Sequence, residues 1–185
     1  MGEVEQKLAI DMRNITKTFG TAVANNKVNL QVKYGEVLSL LGENGSGKTT
    51  LLELLAGIRP IPAAAKIICK TTMTILPQLK ERLSKSGGET TQAYILQALK
   101  QQSGLLLADE PTNHLDLDAV TALEELLCNY PGTLIFTTHD RRLLKAIAKN
   151  LLVFDGTKLN FFPGPYDDYS NKQIYTEYTL SLIHI

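Results

Sequence analysis

The sequence is poor in cysteine, has no excess of charge of either sign and contains no long hydrophobic run. Cys69 and Cys128 are the only cysteines, and their wide separation excludes a disulfide framework or a zinc-binding spacing and favours a reducing cytoplasm. The 19 basic side chains balance the 19 acidic ones, which argues against a broad nucleic-acid-coating surface and leaves room for a local basic patch. The apolar runs have strand length and no signal peptide is recognisable, so we expect no direct membrane insertion.

The remaining pattern is that of a single α/β domain. The chain of 185 residues is long enough for one substantial core. Two strand-like runs, at residues 8–15 and 23–32, should pair antiparallel around a turn at Phe19-Gly20. Short apolar strands then alternate with helical patterns, and the unbroken run Leu105–Ala108 is typical of a parallel strand buried on both faces. The sequence therefore predicts a mixed sheet with N-terminal antiparallel strands.

One glycine-rich stretch carries the strongest chemical signal. Residues 42–49 read Gly-Glu-Asn-Gly-Ser-Gly-Lys-Thr and fit the phosphate-binding P-loop pattern G-x-x-x-x-G-K-[ST]. Glycines let backbone N–H groups close around phosphate oxygens, Lys48 supplies a positive charge, and the Thr49 hydroxyl can ligate Mg²⁺. An apolar strand at 37–41 precedes the loop and a helical pattern at 50–56 follows it, which favours this interpretation over a chance glycine-rich turn.

A pair of adjacent carboxylates follows the buried strand. Asp109 is placed to hold Mg²⁺ through its water shell, and Glu110 could polarise an attacking water molecule. A solvated strand end is the alternative, and the P-loop in the same chain favours the catalytic interpretation. Asp116 or Asp118 can then cap a helix. Its expected apolar stripe is Val120, Leu123, Leu126 and Leu127.

The rest of the chain predicts a strand that delivers His139, then a helix and a hairpin. The expected ranges are a strand at 133–138, a helix at 141–148, a hairpin of 151–155 with 158–162 around Gly156, and a helix from Tyr166 onward.

The order of these motifs resembles that of the ATP-binding cassette (ABC) superfamily over about residues 8–178. The shared features are the P-loop, a Gln after a strand, Ser-Gly-Gly-Glu, a strand ending in Asp-Glu-Pro-Thr, and a late strand followed by His. The resemblance implies a P-loop NTPase that hydrolyses ATP with Mg²⁺. It implies that Gln78 reaches the metal and the water, and that His139 contacts the γ-phosphate. A lone Gln is usually a surface residue, and His139 would be interpreted as an ordinary surface or core histidine if no strand preceded it. His114 has no such support, and we interpret it as structural.

The resemblance also implies a nucleotide-binding set. Phe19 lies where the family stacks an aromatic ring on adenine, although a packed turn residue is a near-equal alternative. Ser86, Gly87 and Gly88 would complete the ATP site of a partner cassette in a head-to-tail dimer, so hydrolysis requires a second cassette and an isolated one should be inactive. Lys85 stands where the family usually has Leu. The implied nucleotide-binding residues are Phe19, Gly42, Asn44, Gly45, Ser46, Gly47, Lys48, Thr49, Thr50, Ser86, Gly87, Gly88 and Asp116. The implied metal ligands are Thr49, Gln78 and Asp109, and the implied catalytic residues are Gln78, Glu110 and His139.

Two features distinguish the kind of cassette. Only the seven residues Leu79–Lys85 separate Gln78 from Ser86, which allows about two helical turns at most. Transporter cassettes carry there a subdomain of several helices that grips the membrane subunit, so we expect a strongly shortened helical subdomain. Residues 109–116 (Asp-Glu-Pro-Thr-Asn-His-Leu-Asp) and 138–141 (Thr-His-Asp-Arg) resemble the ABC-F subfamily, whose soluble two-cassette proteins act on the ribosome. Residues 76–80 (Leu-Pro-Gln-Leu-Lys), followed closely by 85–90 (Lys-Ser-Gly-Gly-Glu-Thr), are similar to the first cassette of antibiotic-resistance members.

We therefore expect three parts: an ABC nucleotide-binding domain at 1–165, the start of an inter-cassette linker helix at 166–179, and a tail at 180–185. The tail, Leu-Ser-Leu-Ile-His-Ile, is what CTGTCTCTTATACACATC encodes, a string that resembles the transposon mosaic end of sequencing libraries. We expect it to be read-through from a gene that continues, with a genuine apolar tail as the alternative. The rival functions are a transporter ATP-binding subunit and a non-catalytic remnant.

Overall fold

The computed structural model describes residues 7–19, 22–76, 103–113, 115–155 and 158–172, without the side chains of 17–19, 22–27 and 158. The strands are β1 (Leu8–Phe19), β2 (Ala22–Lys33), β3 (Val37–Gly42), β4 (Lys66–Cys69), β5 (Met73–Leu76), β6 (Leu105–Asp109), β7 (Thr133–Thr137), β8 (Asn150–Asp155) and β9 (Lys158–Pro163). The helices are α1 (Lys48–Leu55), α2 (Leu117–Cys128) and α3 (Arg141–Ile147), and residues 166–172 are also helical.

The strands form two sheets. A three-stranded antiparallel sheet has the order β2-β1-β4, and a six-stranded sheet has the order β5-β6-β7-β3-β8-β9. All neighbours in the larger sheet run parallel except β8 and β9, which form the antiparallel hairpin. The predicted mixed α/β fold with antiparallel N-terminal strands is confirmed.

Two apolar layers pack on opposite faces of the larger sheet. The side chains of β6 alternate, so that Leu105 and Leu107 join one core cluster while Leu106 and Ala108 join the other. The first cluster also contains α1 and the inner side of the antiparallel sheet. The second cluster contains the buried faces of α2 and α3. Both faces of the central strands are therefore covered, as expected of a parallel sheet.

The helices follow the predicted pattern with small differences. Helix α1 begins at Lys48, two residues before the expected start, because the P-loop turns directly into the helix. Helix α2 buries Ala119, Leu123 and Leu127, whereas Val120 and Leu126 are only half-buried at the edge of its apolar stripe.

Several expectations fall outside the described residues. They are the shortened helical subdomain expected between Gln78 and Ser86, the turn residues Gly20 and Gly156, and residues 173–185, which include half of the expected linker and the whole tail. Within the part of the chain that the structure describes, no helix is both long and apolar enough to span a membrane.

Strand register brings three loop starts to one edge of the larger sheet. Leu40 of β3 lies opposite Thr137 of β7, and Thr137 lies opposite Asp109 of β6. The three strands run parallel, so their carboxyl ends meet at the same edge, where open α/β sheets bind their ligands. The P-loop begins at the last residue of β3, Glu110 follows β6 directly, and His139 follows β7 after one intervening residue.

Candidate functional site

The P-loop adopts a backbone that only glycine tolerates at its first position. Gly42 has φ of 150°, and a Cβ there would lie 2.8 Å from the Phe154 Cβ and 2.8 Å from the Ser46 Oγ. Gly45 and Gly47 also have positive φ, at 80° and 101°. The loop is thus folded tightly between β3 and α1, with Glu43, Asn44 and Gly45 exposed at its crest.

The Lys48 ammonium is largely buried beneath this loop. It donates hydrogen bonds of 2.8 Å to the carbonyl oxygens of Gly42 and Glu43, and lies 3.4 Å from the Ser46 Oγ. Burial lowers the pKa of Lys48, while the negative charges of Glu110 and Asp109 act in the opposite direction. The cation is therefore held in place and partly desolvated, which strengthens its attraction to a phosphate that enters the loop.

The start of α1 suits an anion. Gly47 is its N-cap residue and makes no side-chain capping bond, and the first turn contains no acidic residue. The positive end of the helix dipole is consequently not offset by a carboxylate of its own. Thr49, in the first turn, has an exposed side chain. These features fit the triphosphate of ATP and a hydroxyl ligand for its Mg²⁺.

The last residue of β7, Thr137, contacts the Asp109 carboxylate and the Glu110 backbone. The Thr137 hydroxyl donates to Oδ1 of Asp109 across 2.5 Å, and the Glu110 backbone N–H donates to Thr137 Oγ1 at 3.0 Å and to its carbonyl oxygen at 3.1 Å. Glu110 has φ of 46°, which is unusual for a residue with a side chain. Strained backbone of this kind often accompanies a functional site.

His139 connects the carboxylates with the P-loop. Its Nε2 lies 2.9 Å from Oδ1 of Asn44 and 3.4 Å from Oε1 of Glu110. Its backbone N–H donates to Oε2 of Glu110 at 3.1 Å. The Glu110 side chain is 13% exposed and the His139 side chain 58% exposed, so the glutamate lies behind the histidine, which faces solvent.

The residues present fit a magnesium nucleotide. Among the described residues no three His, Cys, Asp or Glu side chains cluster as a metal cage. A nucleotide-bound Mg²⁺ does not need one, because phosphates and water supply most of its ligands and the protein adds one or two oxygens. Asp109 and Thr49 are the described residues that would hold it.

A cleft of about 1100 Å³ opens beside this cluster. Residues 42–46, Lys48 and His139 line one end of it. The remaining lining includes residues of the β8–β9 hairpin, Tyr166 and Tyr169, whereas Asp109 and Glu110 do not line the cleft. We therefore expect a phosphate to bind at the P-loop end of the cleft, where Lys48 and His139 lie.

The structure thus brings together the P-loop residues, Asp109, Glu110 and His139 from the expected set. Asp116 caps α2, its side chain accepting from the Ala119 N–H at 2.8 Å, which confirms one of the two expected caps. Gln78, Ser86, Gly87, Gly88 and His114, and the side chain of Phe19, lie outside the described residues. Sequence reasoning missed Thr137, whose signal was a hydroxyl at the carboxyl end of a strand with an apolar middle.

Comparison with known proteins finds ABC proteins among those similar to this chain. Residues 25–85 match the family model described as ABC transporter. The chain is 29% identical to the uncharacterized ABC transporter ATP-binding protein YfmR and 30% identical to the ribosome protection protein VmlR, both of Bacillus subtilis; each match covers 88% of this chain and 34% of the relative.

The chain spans about a third of the length of the curated relatives that it matches. Among solved structures, a metal-chelate type ABC transporter in an inward-facing conformation superposes with a TM-score of 0.64. That match covers 85% of this chain and 84% of the other at 23% identity, and it supports the fold alone.

Proposed function

Since the chain is an ABC ATPase of the ABC-F type, we propose that it is one cassette of a longer cytoplasmic protein that uses ATP to act on the ribosome. The observation that carries the ribosomal assignment is the 30% identity to a ribosome protection protein over 88% of the chain. The short spacing between Gln78 and Ser86 supports it, because it leaves little chain for a subdomain that grips a membrane subunit.

The arrangement of the described residues supports ATP hydrolysis at this site. Lys48 and the α1 N-terminus would bind the phosphates, and Asp109 with Thr49 would hold the metal. Mg²⁺, when bound, supplies charge stabilisation at the transferring phosphoryl group. Glu110 would polarise a water molecule, since its carboxylate lies behind His139 at the rim of the P-loop. His139 would contact the γ-phosphate, exchanging its contact with Asn44 for one to the nucleotide.

Hydrolysis in our proposal needs a second cassette. The resemblance assigns Ser86, Gly87 and Gly88 to the ATP site of a partner, so one chain would contain half of each of two sites. The isolated chain should then bind ATP and hydrolyse it very slowly. Turnover should be restored when the second cassette is supplied, as in the longer protein.

The alternative is an ATP-binding subunit of a transporter. The matching family model is described as ABC transporter, and YfmR bears a transporter name. This alternative requires a docking surface for a membrane subunit, and the chain between Gln78 and Ser86 is short for that purpose.

Sedimentation distinguishes the two functions. The test uses the longer protein that contains this chain, with Glu110→Gln to slow hydrolysis. This protein is mixed either with ribosomes or with membranes, and each mixture is tested once with ATP and once with ADP. Our proposal predicts ATP-dependent sedimentation with ribosomes, and Glu125→Gln, an exposed change on α2, serves as the control. Association with membranes and none with ribosomes would support the transporter alternative.

A further inference from the structure

We propose that Thr137 is a positioning residue that sets the geometry of both Asp109 and Glu110 in the ATPase site. This inference rests on the proposed function, because it assigns Asp109 to the metal and Glu110 to the attacking water. Thr137 is fully buried at the end of β7, between the P-loop strand and the strand that ends in Asp109.

The hydroxyl of Thr137 acts in two directions at once. It donates its only proton to Oδ1 of Asp109 at 2.5 Å and accepts the Glu110 N–H at 3.0 Å. A hydroxyl can do both because it has one proton and two lone pairs. Valine has nearly the same shape and offers neither bond, whereas serine offers both with one methyl group fewer. Buried bonds of this kind are stronger than exposed ones because the surroundings have a low dielectric constant.

The bond to Glu110 also supports a strained backbone. Glu110 has φ of 46°, and its N–H is shared between the hydroxyl and the carbonyl oxygen of Thr137. A backbone in this region persists only where its surroundings over-determine it. Loss of the hydroxyl removes one of the two acceptors, so Glu110 can relax and its carboxylate can leave His139.

The same strand provides a matched control. Thr133, at the opposite end of β7, is also fully buried. Its hydroxyl accepts the Gly35 N–H at 3.0 Å and lies 3.4 Å from the Lys33 carbonyl oxygen. Thr133→Val therefore deletes a buried, bonded hydroxyl four residues from Thr137, at the far end of the strand from the carboxylates.

Metal binding tests the inference without relying on turnover. Mn²⁺ serves as a substitute for Mg²⁺, and electron paramagnetic resonance measures its binding to the complex of this chain with ATP. Calorimetry measures the binding of ATP alone, in the presence of a metal chelator. We expect Thr137→Val to change the affinity for ATP, measured in the presence of the chelator, by no more than about twofold. The same variant should weaken Mn²⁺ binding about tenfold to a hundredfold, the usual range for a residue that orients a metal ligand. Thr137→Ser should restore most of the loss. Thr133→Val should keep wild-type Mn²⁺ binding while lowering the melting temperature.

The possible failures are distinguishable. Equal Mn²⁺ affinity in the wild type and Thr137→Val would overturn the role of Thr137 and leave the proposed function intact. An equal loss in Thr133→Val, or none of the loss restored by Thr137→Ser, would reduce Thr137 to a packing residue. The inference would also be overturned if the complex of the wild-type chain with ATP bound Mn²⁺ no more tightly than ATP alone does. A wild-type chain that binds no ATP would overturn the proposed function and this inference together.

Discussion

Nε2 of His139 lies 2.9 Å from Oδ1 of Asn44, so that the end of β7 and the crest of the P-loop are in direct contact. Glu110 also contacts this histidine, since its Oε1 lies 3.4 Å from the same Nε2. The three side chains thus close one edge of the phosphate site with an amide, an imidazole and a carboxylate. An arriving γ-phosphate would compete with Asn44 and Glu110 for the histidine, which links nucleotide binding to the geometry of the proposed catalytic base.

This contact makes the charge at position 44 a sensitive test of the site. Asn44→Asp places a second carboxylate beside Glu110 and beside the expected phosphates, so it should weaken ATP binding about tenfold or more, which corresponds to about 1.4 kcal/mol. Asn44→Ala removes the hydrogen bond and adds no charge, and should change ATP affinity by less than about threefold. Titration with a fluorescent ATP analogue at two salt concentrations measures both. Equal affinities for the two variants would place Asn44 away from the phosphates.

Lys48→Ala should abolish ATP binding, because it removes the charge aimed at the phosphates. The same change deletes bonds of 2.8 Å to the Gly42 and Glu43 carbonyls, so the melting temperature without nucleotide must be measured alongside calorimetry. Lys145→Ala removes an exposed lysine paired with Asp167 at 2.9 Å and provides the control. A folded Lys48→Ala protein with unchanged ATP affinity would contradict the P-loop interpretation.

Short-range sequence patterns are sufficient to predict most of the helices and strands. The strand at 37–41 and the helix after it are predicted to within two residues, because an apolar run, a P-loop and a helical pattern lie next to one another in sequence. The order of the larger sheet was not predictable in this way. β3 pairs with β7 and β8, about a hundred residues later, and that pairing depends on tertiary packing.

The site shows the same division. Asp109, Glu110 and His139 could be named from the sequence, because Asp109 ends a buried strand, Glu110 follows it, and His139 comes soon after the end of another strand. The role of Thr137 could not be derived, since it depends on a register that places Thr137 opposite Asp109. The contact of His139 with Asn44 could not be derived either, because it depends on side-chain directions across two loops.

Glu110→Gln should preserve ATP binding and slow hydrolysis about a hundredfold to ten-thousandfold in the longer protein, the usual range for a general base. The change removes charge and retains an oxygen that can accept the His139 N–H, as Oε2 does at 3.1 Å. The φ of 46° is equally unusual for both residues, so backbone strain should not differ. Single-turnover ATPase assays measure the effect beside Glu125→Gln. Wild-type hydrolysis by Glu110→Gln would remove Glu110 from the catalytic role.

Substitutions of Asp116 test whether this residue only caps α2 or also contributes to the nucleotide site. Asp116→Ala deletes the bond to the Ala119 N–H and should cost about 1 kcal/mol, a decrease in melting temperature of about 2–4 °C. Asp116→Asn keeps a capping oxygen and should restore stability. Asp118→Ala, two residues further along in the first turn, should have a smaller effect. If Asp116 also serves the nucleotide, Asp116→Asn will lower hydrolysis in the longer protein while its melting temperature stays normal. A normal rate would leave capping as its function.

Ser39 provides a prediction of increased stability. Its side chain is fully buried in the middle of β3, and its Oγ has no hydrogen-bond partner among the residues that the structure describes. An unsatisfied buried hydroxyl loses its bonds to water on folding, so Ser39→Ala should stabilise the chain by up to about 1 kcal/mol and raise the melting temperature by about 2–4 °C. Thr133→Val deletes a hydroxyl that is bonded to the Gly35 N–H and should have the opposite sign. Thermal unfolding of both variants measures the difference, and a lower melting temperature for Ser39→Ala would show that its hydroxyl is satisfied in the folded protein.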